Sequence, residues 1–174
     1  MGSFDKSSSS TPALKILVEK KVPFRLATFP WKDKDAEEVS RCLKIPLRQV
    51  VKTLLLKTSA DEFLLALCPG DRQVDLKLLA HLLNEKRIDL ANRDEVHKVT
   101  GYFIGGVSPL GTRREPPVLM DSVILQEKEI SISAGRWGSQ ILISPQELRN
   151  ILGSRLTVAD ISRAKAMSSL SSEL

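Results

Sequence analysis

The sequence predicts an α+β fold: a mixed, curved sheet with helices around it. Two short apolar runs, 50–56 and 62–68, are flanked by turn residues and read as buried strands. Sharp helix starts punctuate the chain, the clearest being Ser144-Pro145-Gln146-Glu147, which combines an N-cap serine, an N1 proline and an N3 glutamate. Strand-like and helix-like stretches are intermingled with no regular βαβ repeat, which favours α+β. At 174 residues, 42% hydrophobic and 27% charged, the chain has the length and composition of one globular domain.

Residues 1–10 carry four consecutive serines and a Met-Gly-Ser start of the kind an expression vector supplies, and are expected to be disordered. The folded domain is assigned to 11–162 and a fraying, Ser- and Ala-rich tail to 163–174. Thr11-Pro12 opens the first helix as N-cap and N1 proline, with Leu14, Leu17 and Val18 as its apolar face. Pro23 breaks it, and 24–29 alternates like a strand. Asp35 caps the next helix, Glu38 is placed to complete a capping box, and Val39, Cys42 and Leu43 share its buried face before Pro46 marks its end. The two apolar runs then form an antiparallel hairpin around Asp61. After a Pro69-Gly70-Asp71 turn, 75–84 is a helix with leucines at 76, 79, 82 and 83, and 92–99 is another, with Asn92 and Glu95 at capping-box spacing. Segments 118–120, 129–133 and 140–143 read as strands, the last two joined across Ala134-Gly135-Arg136-Trp137-Gly138, and the helix opened by Ser144 ends at Gly153.

The 26 Lys and Arg against 21 Asp and Glu give a net charge of +5, compatible with a polyanionic partner such as RNA and equally with scattered surface lysines. The aromatic residues are few and no aromatic-basic-aromatic pattern appears, so a base-stacking platform is not expected. No apolar run approaches a membrane span and no leader resembles a signal peptide, which places the chain in the cytoplasm. Cys42 and Cys68 lack CxxC spacing, and both read as small buried hydrophobes outside any disulfide framework.

Chemistry has few candidates. His81 and His97 fall inside predicted helices without the ligand spacing a metal needs, and no Walker or dinucleotide motif occurs. The shaped loop Gly101-Tyr102-Phe103-Ile104-Gly105-Gly106-Val107-Ser108-Pro109-Leu110-Gly111 is either a backbone cradle for a small polar group or a tight connection. Lys52 interrupts an apolar strand, so its stem is partly buried and its ammonium enters a cavity or faces outward on a half-exposed strand. Asp121 at a strand end and Arg136 at a turn tip carry the same ambiguity.

Taken together, Val51-Lys52-Thr53-Leu54, Pro69-Gly70-Asp71-Arg72, Gly105-Gly106-Val107-Ser108-Pro109-Leu110-Gly111, Asp121 and Ser133-Ala134-Gly135-Arg136-Trp137-Gly138 resemble the YbaK family, related to the editing domain of bacterial prolyl-tRNA synthetases. The resemblance runs from about residue 12 to about residue 162 in unbroken order. It implies a sheet curled into a partial barrel and a free-standing deacylase of mischarged tRNA, foremost Cys-tRNA(Pro), that acts at the 3′ acceptor end. It further implies prolyl-tRNA synthetase as a second partner, and no cofactor, metal, DNA or membrane. The alternatives are removal of Ala, Ser or Thr, or a module that binds tRNA or a synthetase without catalysis. By position, Lys52, Gly105 and Gly106 are the implied catalytic residues. Thr53, Ser108, Pro109, Asp121, Gly135 and Arg136 are the implied substrate-binding ones. Backbone N–H groups of the glycine loop, Gly106 foremost, are expected to stabilise an oxyanion. Trp137 stands where many members have the arginine of a Lys-Arg pair, and either covers the adenine or packs at the surface.

Overall fold

A computed structural model describes residues 10–32 and 35–166. They run α1 (Pro12–Glu19), β1 (Arg25–Thr28), α2 (Ala36–Leu43), β2 (Val51–Thr58), β3 (Phe63–Pro69), β4 (Arg72–Val74), α3 (Leu76–Leu82), β5 (Ile88–Leu90), α4 (Arg93–Thr100), β6 (Val118–Asp121), β7 (Ile130–Ser133), β8 (Ser139–Ile143), α5 (Pro145–Leu152), β9 (Leu156–Ala159) and β10 (Ser162–Ala164). Most of the expected N-terminal segment and the end of the expected tail, 1–9 and 167–174, lie outside the described residues.

The expected hairpin is the centre of the fold. β2 and β3 pair antiparallel from Val51 opposite Pro69 to Lys57 opposite Phe63, and Asp61 turns the chain with φ 61°. Their runs are continuously apolar because both faces are covered. Val51, Leu55, Leu65 and Leu67 pack with Leu14, Leu17, Val96, Ile132 and Ile141 on one side. Leu56, Leu64, Ala66 and Cys68 pack with Leu79, Leu119 and Ile161 on the other. β6 and then β9 extend the sheet in parallel, and β5 closes its far edge, giving the order β5-β2-β3-β6-β9. A second sheet, β1-β8-β7, is antiparallel and meets the first at a parallel bridge from Val50 to Ser131. The sheets are thus mixed and the fold α+β as expected, with no closed barrel among the described residues.

Four caps, Thr11, Asp35, Asn92 and Ser144, are where the sequence placed them, and Asp75, expected as the first residue of its helix, is a fifth. Thr11, Asp35, Asp75, Asn92 and Ser144 each accept from a backbone N–H in the first turn of the helix they open. Asn92 and Glu95 form the full reciprocal box, and α4 stops at Gly101, whose φ of 79° is a left-handed conformation that suits a residue without Cβ. Glu38 turns instead to Arg41, at 2.5 Å, and to the Cys42 thiol.

Several burial expectations fail for one reason: a short helix buries a narrower stripe than its leucine count suggests. Val18 is 63% exposed, Leu82 and Leu83 face solvent, and Cys42 is exposed while Cys68 is fully buried. The tail expected to fray from 163 begins inside β10, which pairs antiparallel with β4, Ser162 opposite Val74. Asp121 explains this. Its carboxylate accepts from Ile161 N at 3.2 Å and from Ser162 Oγ at 2.5 Å, pinning the strand to the end of β6. Among the described residues no helix is long and apolar enough to cross a membrane.

Candidate functional site

β5 pairs with β2 only over Leu56–Thr58 and β7 meets it only at the Val50–Ser131 bridge, so between them the Lys52–Leu54 stretch of β2 has no strand partner on that side among the described residues. On the β3 side Val50 O accepts from Gly70 N, and on the β5 side Leu55 O accepts from Ala91 N. Alternation along the strand therefore turns the backbone of Thr53 toward the unpaired edge. A cavity of about 440 Å³ occupies that space, within the range usual for small-molecule sites. Its walls include Lys52, Thr53 and Leu54 of β2, Ala36 and Val39 of α2, Val96 of α4, Gly105 and Val107 of the glycine loop, and Gln140 of β8.

Lys52 is half-buried and directs its ammonium to Arg72 O, 2.6 Å away, the start of β4. Among the described residues it makes no ion pair with a carboxylate. Burial pushes its pKa down; Cys68, opposite it across the hairpin, is the next influence and works the other way. The same burial pushes the Cys68 thiol up, so it stays protonated near neutral pH. Beside Lys52, Thr53 Oγ1 is buried with no hydrogen-bond partner among the described residues. At the mouth, Lys165 bonds Glu37 across 2.8 Å, and that bond holds the Glu37 carboxyl below its ordinary pKa.

The glycine loop and the second glycine turn interlock behind this wall. Gly105 lines the cavity with φ 87°, whereas Gly106 is buried and its N–H donates to Phe103 O at 2.9 Å. A Cβ on Gly106 would stand 3.4 Å from the Arg136 backbone and the Trp137 ring, leaving no room beyond a methyl group. Tyr102 locks the pair together: its hydroxyl donates to Leu110 O at 2.7 Å, burial pushes its pKa up to about 12, and its ring lies where a Cβ on Gly135 would be, 2.5 Å from Cε1. Trp137 Nε1 donates to Ile104 O at 3.0 Å.

The expected site residues are therefore divided. Lys52, Thr53 and Gly105 line the cavity, while Gly106, Gly135 and Arg136 form its backing. Ser108 is fully buried and accepts from Leu110 N at 3.3 Å, and Pro109 is buried beside it, so both shape the loop from within. Asp121 is 1% exposed and commits both oxygens internally, to Val123 N and to the start of β10, which makes it a staple between β6 and β10. The Gly106 N–H, used inside its own loop, does not face the cavity as an oxyanion donor. Sequence reasoning missed Glu37 and Lys165, which stand 128 residues apart and carry no local signal of their pairing. It also missed Trp31, on the cavity rim.

The sequence model of the family described as "Aminoacyl-tRNA editing domain" matches residues 32–151. EbsC of Enterococcus faecalis, provisionally named a Cys-tRNA(Pro)/Cys-tRNA(Cys) deacylase, is 29% identical over 148 residues, covering 84% of this chain and 90% of EbsC. A proline–tRNA ligase of Fervidobacterium nodosum is 35% identical over 80 residues, 46% of this chain and 14% of the ligase, so part of the domain recurs inside a much longer enzyme. The crystal structure of the hypothetical protein APE2540 superposes with a TM-score of 0.78 at 25% identity, over 86% of this chain and 97% of that one. A crystal structure described provisionally as a trans-editing enzyme for prolyl-tRNA synthetase has the same fold, with a TM-score of 0.78 at 24% identity over 90% of this chain and all of its own. With the family model matching more than half of its length, the chain belongs to the aminoacyl-tRNA editing domain family.

Proposed function

We propose that the chain is an aminoacyl-tRNA deacylase that hydrolyses the ester between a mismatched amino acid and the 3′-terminal adenosine of tRNA, with Cys-tRNA(Pro) as its foremost substrate. The observation that carries this reading is Lys52: a half-buried ammonium, held by a carbonyl, on an unpaired strand edge inside the cavity. Burial destabilises that cation, so an arriving phosphate or developing oxyanion restores what desolvation removed. An aminoacyl ester is already reactive, and its hydrolysis asks chiefly for placement of water and for charge stabilisation. Lys52 supplies the charge. Thr53 Oγ1, buried and unpartnered, and the strand-edge backbone of Thr53 supply hydrogen bonds to orient the ribose or the attacking water. The Val39, Val50 and Leu54 side chains shape a dry compartment for the amino-acid side chain.

The test is release of amino acid from tRNA(Pro) charged with Cys, Ala, Ser, Thr or Pro. The expected order has Cys-tRNA(Pro) fastest and Pro-tRNA(Pro) spared. A folded protein that binds these tRNAs but hydrolyses none of them would overturn the reading in favour of a non-catalytic binding module.

A further inference from the structure

Four aromatic rings drawn from distant parts of the chain converge on the rim of the cavity. Trp31 and Trp137 lie parallel, 5° apart with centroids at 6.2 Å; Phe103 tilts against Trp137 at 6.4 Å; His97 stacks on Phe103 at 4.5 Å. Phe103 and Trp137 face solvent, 63% and 47% exposed, Trp31 and His97 are half-buried beside them, and Ile104 and Leu90 are exposed along the same rim. A large aromatic exposed in this way is seldom left without a partner. Here both tryptophans of the chain share one surface row.

The row is continuous with the cavity. Trp31, Ile104 and Gly105 line it, and Ile104 O is the acceptor for Trp137 Nε1. Exposed cations lie on the α4 side of the row. Arg113 bonds His97 O at 3.4 Å, Arg114 N donates to Val99 O, and Lys98 follows His97 in the chain; all three are exposed. Residues 97–114 contain no Asp or Glu, nor does the turn 134–138; nearby acidic residues include Glu95 and Glu115 at the ends of that segment and Asp35 and Glu37 on the Trp31 side of the cavity. A row of rings with open faces and cations along one side is the recognition chemistry of unpaired nucleotides: bases stack on the exposed rings while the phosphates follow the positive edge. A protein-binding apolar patch has no need of that charge pattern.

We propose that the Trp31–Trp137–Phe103–His97 row is a stacking platform for the unpaired nucleotides that precede the terminal adenosine, holding the single-stranded end of the tRNA as it enters the cavity. This rests on the reading of the chain as an aminoacyl-tRNA deacylase. Because both tryptophans lie in the row, intrinsic tryptophan fluorescence reports on this surface alone. The probe is a short uncharged RNA ending in CCA, compared with the same strand made abasic at the two cytidines.

The expected result is quenching by the intact strand and binding weakened by about tenfold or more without the two bases. Phe103→Ala and Trp137→Ala should each weaken the intact strand by roughly fivefold or more, and Trp137→Tyr should recover most of the loss. Circular dichroism confirms that each variant is folded, and Phe103→Ala serves if the Trp137 turn collapses. Equal affinity for the intact and abasic strands would overturn the platform, as would concentration-dependent self-association with no response to RNA. Deacylation separates the two readings. Normal hydrolysis with base-independent RNA binding refutes the platform alone, whereas base-dependent binding without hydrolysis of any mischarged tRNA leaves the platform and removes the deacylase.

Discussion

Replacing Gly135 by alanine tests whether the glycine loop and the second glycine turn are held in one rigid unit. Gly135 has φ 90°, which an alanine adopts at a cost of about 1–2 kcal/mol. The added methyl would also stand 2.5 Å from Tyr102 Cε1, well inside contact distance. Tyr102 is 4% exposed and tied by its hydroxyl to Leu110 O, so it has no free rotamer to retreat into. Overpacking of this kind costs about 1–3 kcal/mol more, for a total near 3 kcal/mol. Gly101 is the internal control: with φ 79° and ψ −2° it sits in the left-handed helical region, a Cβ there would meet nothing closer than Arg113 at 3.7 Å, and Gly101→Ala should cost only about 1 kcal/mol. For a chain of this length, thermal midpoints should fall by roughly 6–12 °C for Gly135→Ala and 2–4 °C for Gly101→Ala. Urea denaturation should give unchanged slopes, showing that both effects are on native stability. Equal losses in the two variants would refute the interlock, since both positions carry a positive φ and only Gly135 faces the Tyr102 ring.

Lys52→Ala should lower deacylation by about a hundredfold or more with the fold intact, because the charge serves the cavity; full activity in a folded variant would remove Lys52 from the mechanism. Lys52→Met tests the electrostatics. Burial lowers the folded pKa below the ordinary 10.5, so the charged lysine opposes folding at neutral pH and that opposition fades as pH rises through the folded value. The stability of Lys52→Met relative to the parent should therefore decline from pH 7 toward pH 10, and the opposite slope would mean that burial is not the cause. Asp121→Ala should destabilise the protein by about 3 kcal/mol while leaving KM unchanged, since it severs bonds to Val123, Ile161 and Ser162 and not to substrate; a raised KM in a protein of normal stability would return Asp121 to the site. Alkylation of the native protein should modify Cys42 alone, and both cysteines in urea; replacing both by alanine should leave activity within a few-fold of the parent, and loss of activity in the folded double variant would bring a thiol into the reaction.

The parts of this fold that were legible in sequence are those with strong local causes. The β2–β3 hairpin announces itself because burial on both faces demands unbroken apolar runs, and the helices because Thr11, Asp35, Asn92 and Ser144 are good caps. β4, β5 and β10, of three residues each, are too short to show a period; they exist because neighbours supply their hydrogen bonds. In the site, Lys52 stood out as a charge in an apolar strand. The Lys165–Glu37 bond and the aromatic row did not, because each is assembled from residues tens to more than a hundred positions apart. Ser108 and Asp121 were legible as unusual residues but not by role: a buried hydroxyl or carboxylate that organises backbone leaves the same trace in sequence as one that meets a ligand.

The reach of these contacts along the chain also dictates when the cavity comes into being during synthesis. Lys52 and the hairpin emerge from the ribosome early, and they can pair as soon as β3 is clear of the exit tunnel. Gln140, which closes one wall, arrives on a strand that must find β1 across more than a hundred residues, and Lys165, which meets Glu37 at the mouth, is later still. At some 5–20 residues per second, seconds separate the first wall from the last. The nascent domain therefore carries its lysine long before it carries a compartment, and acquires a complete site only when nearly all of the described chain has been made.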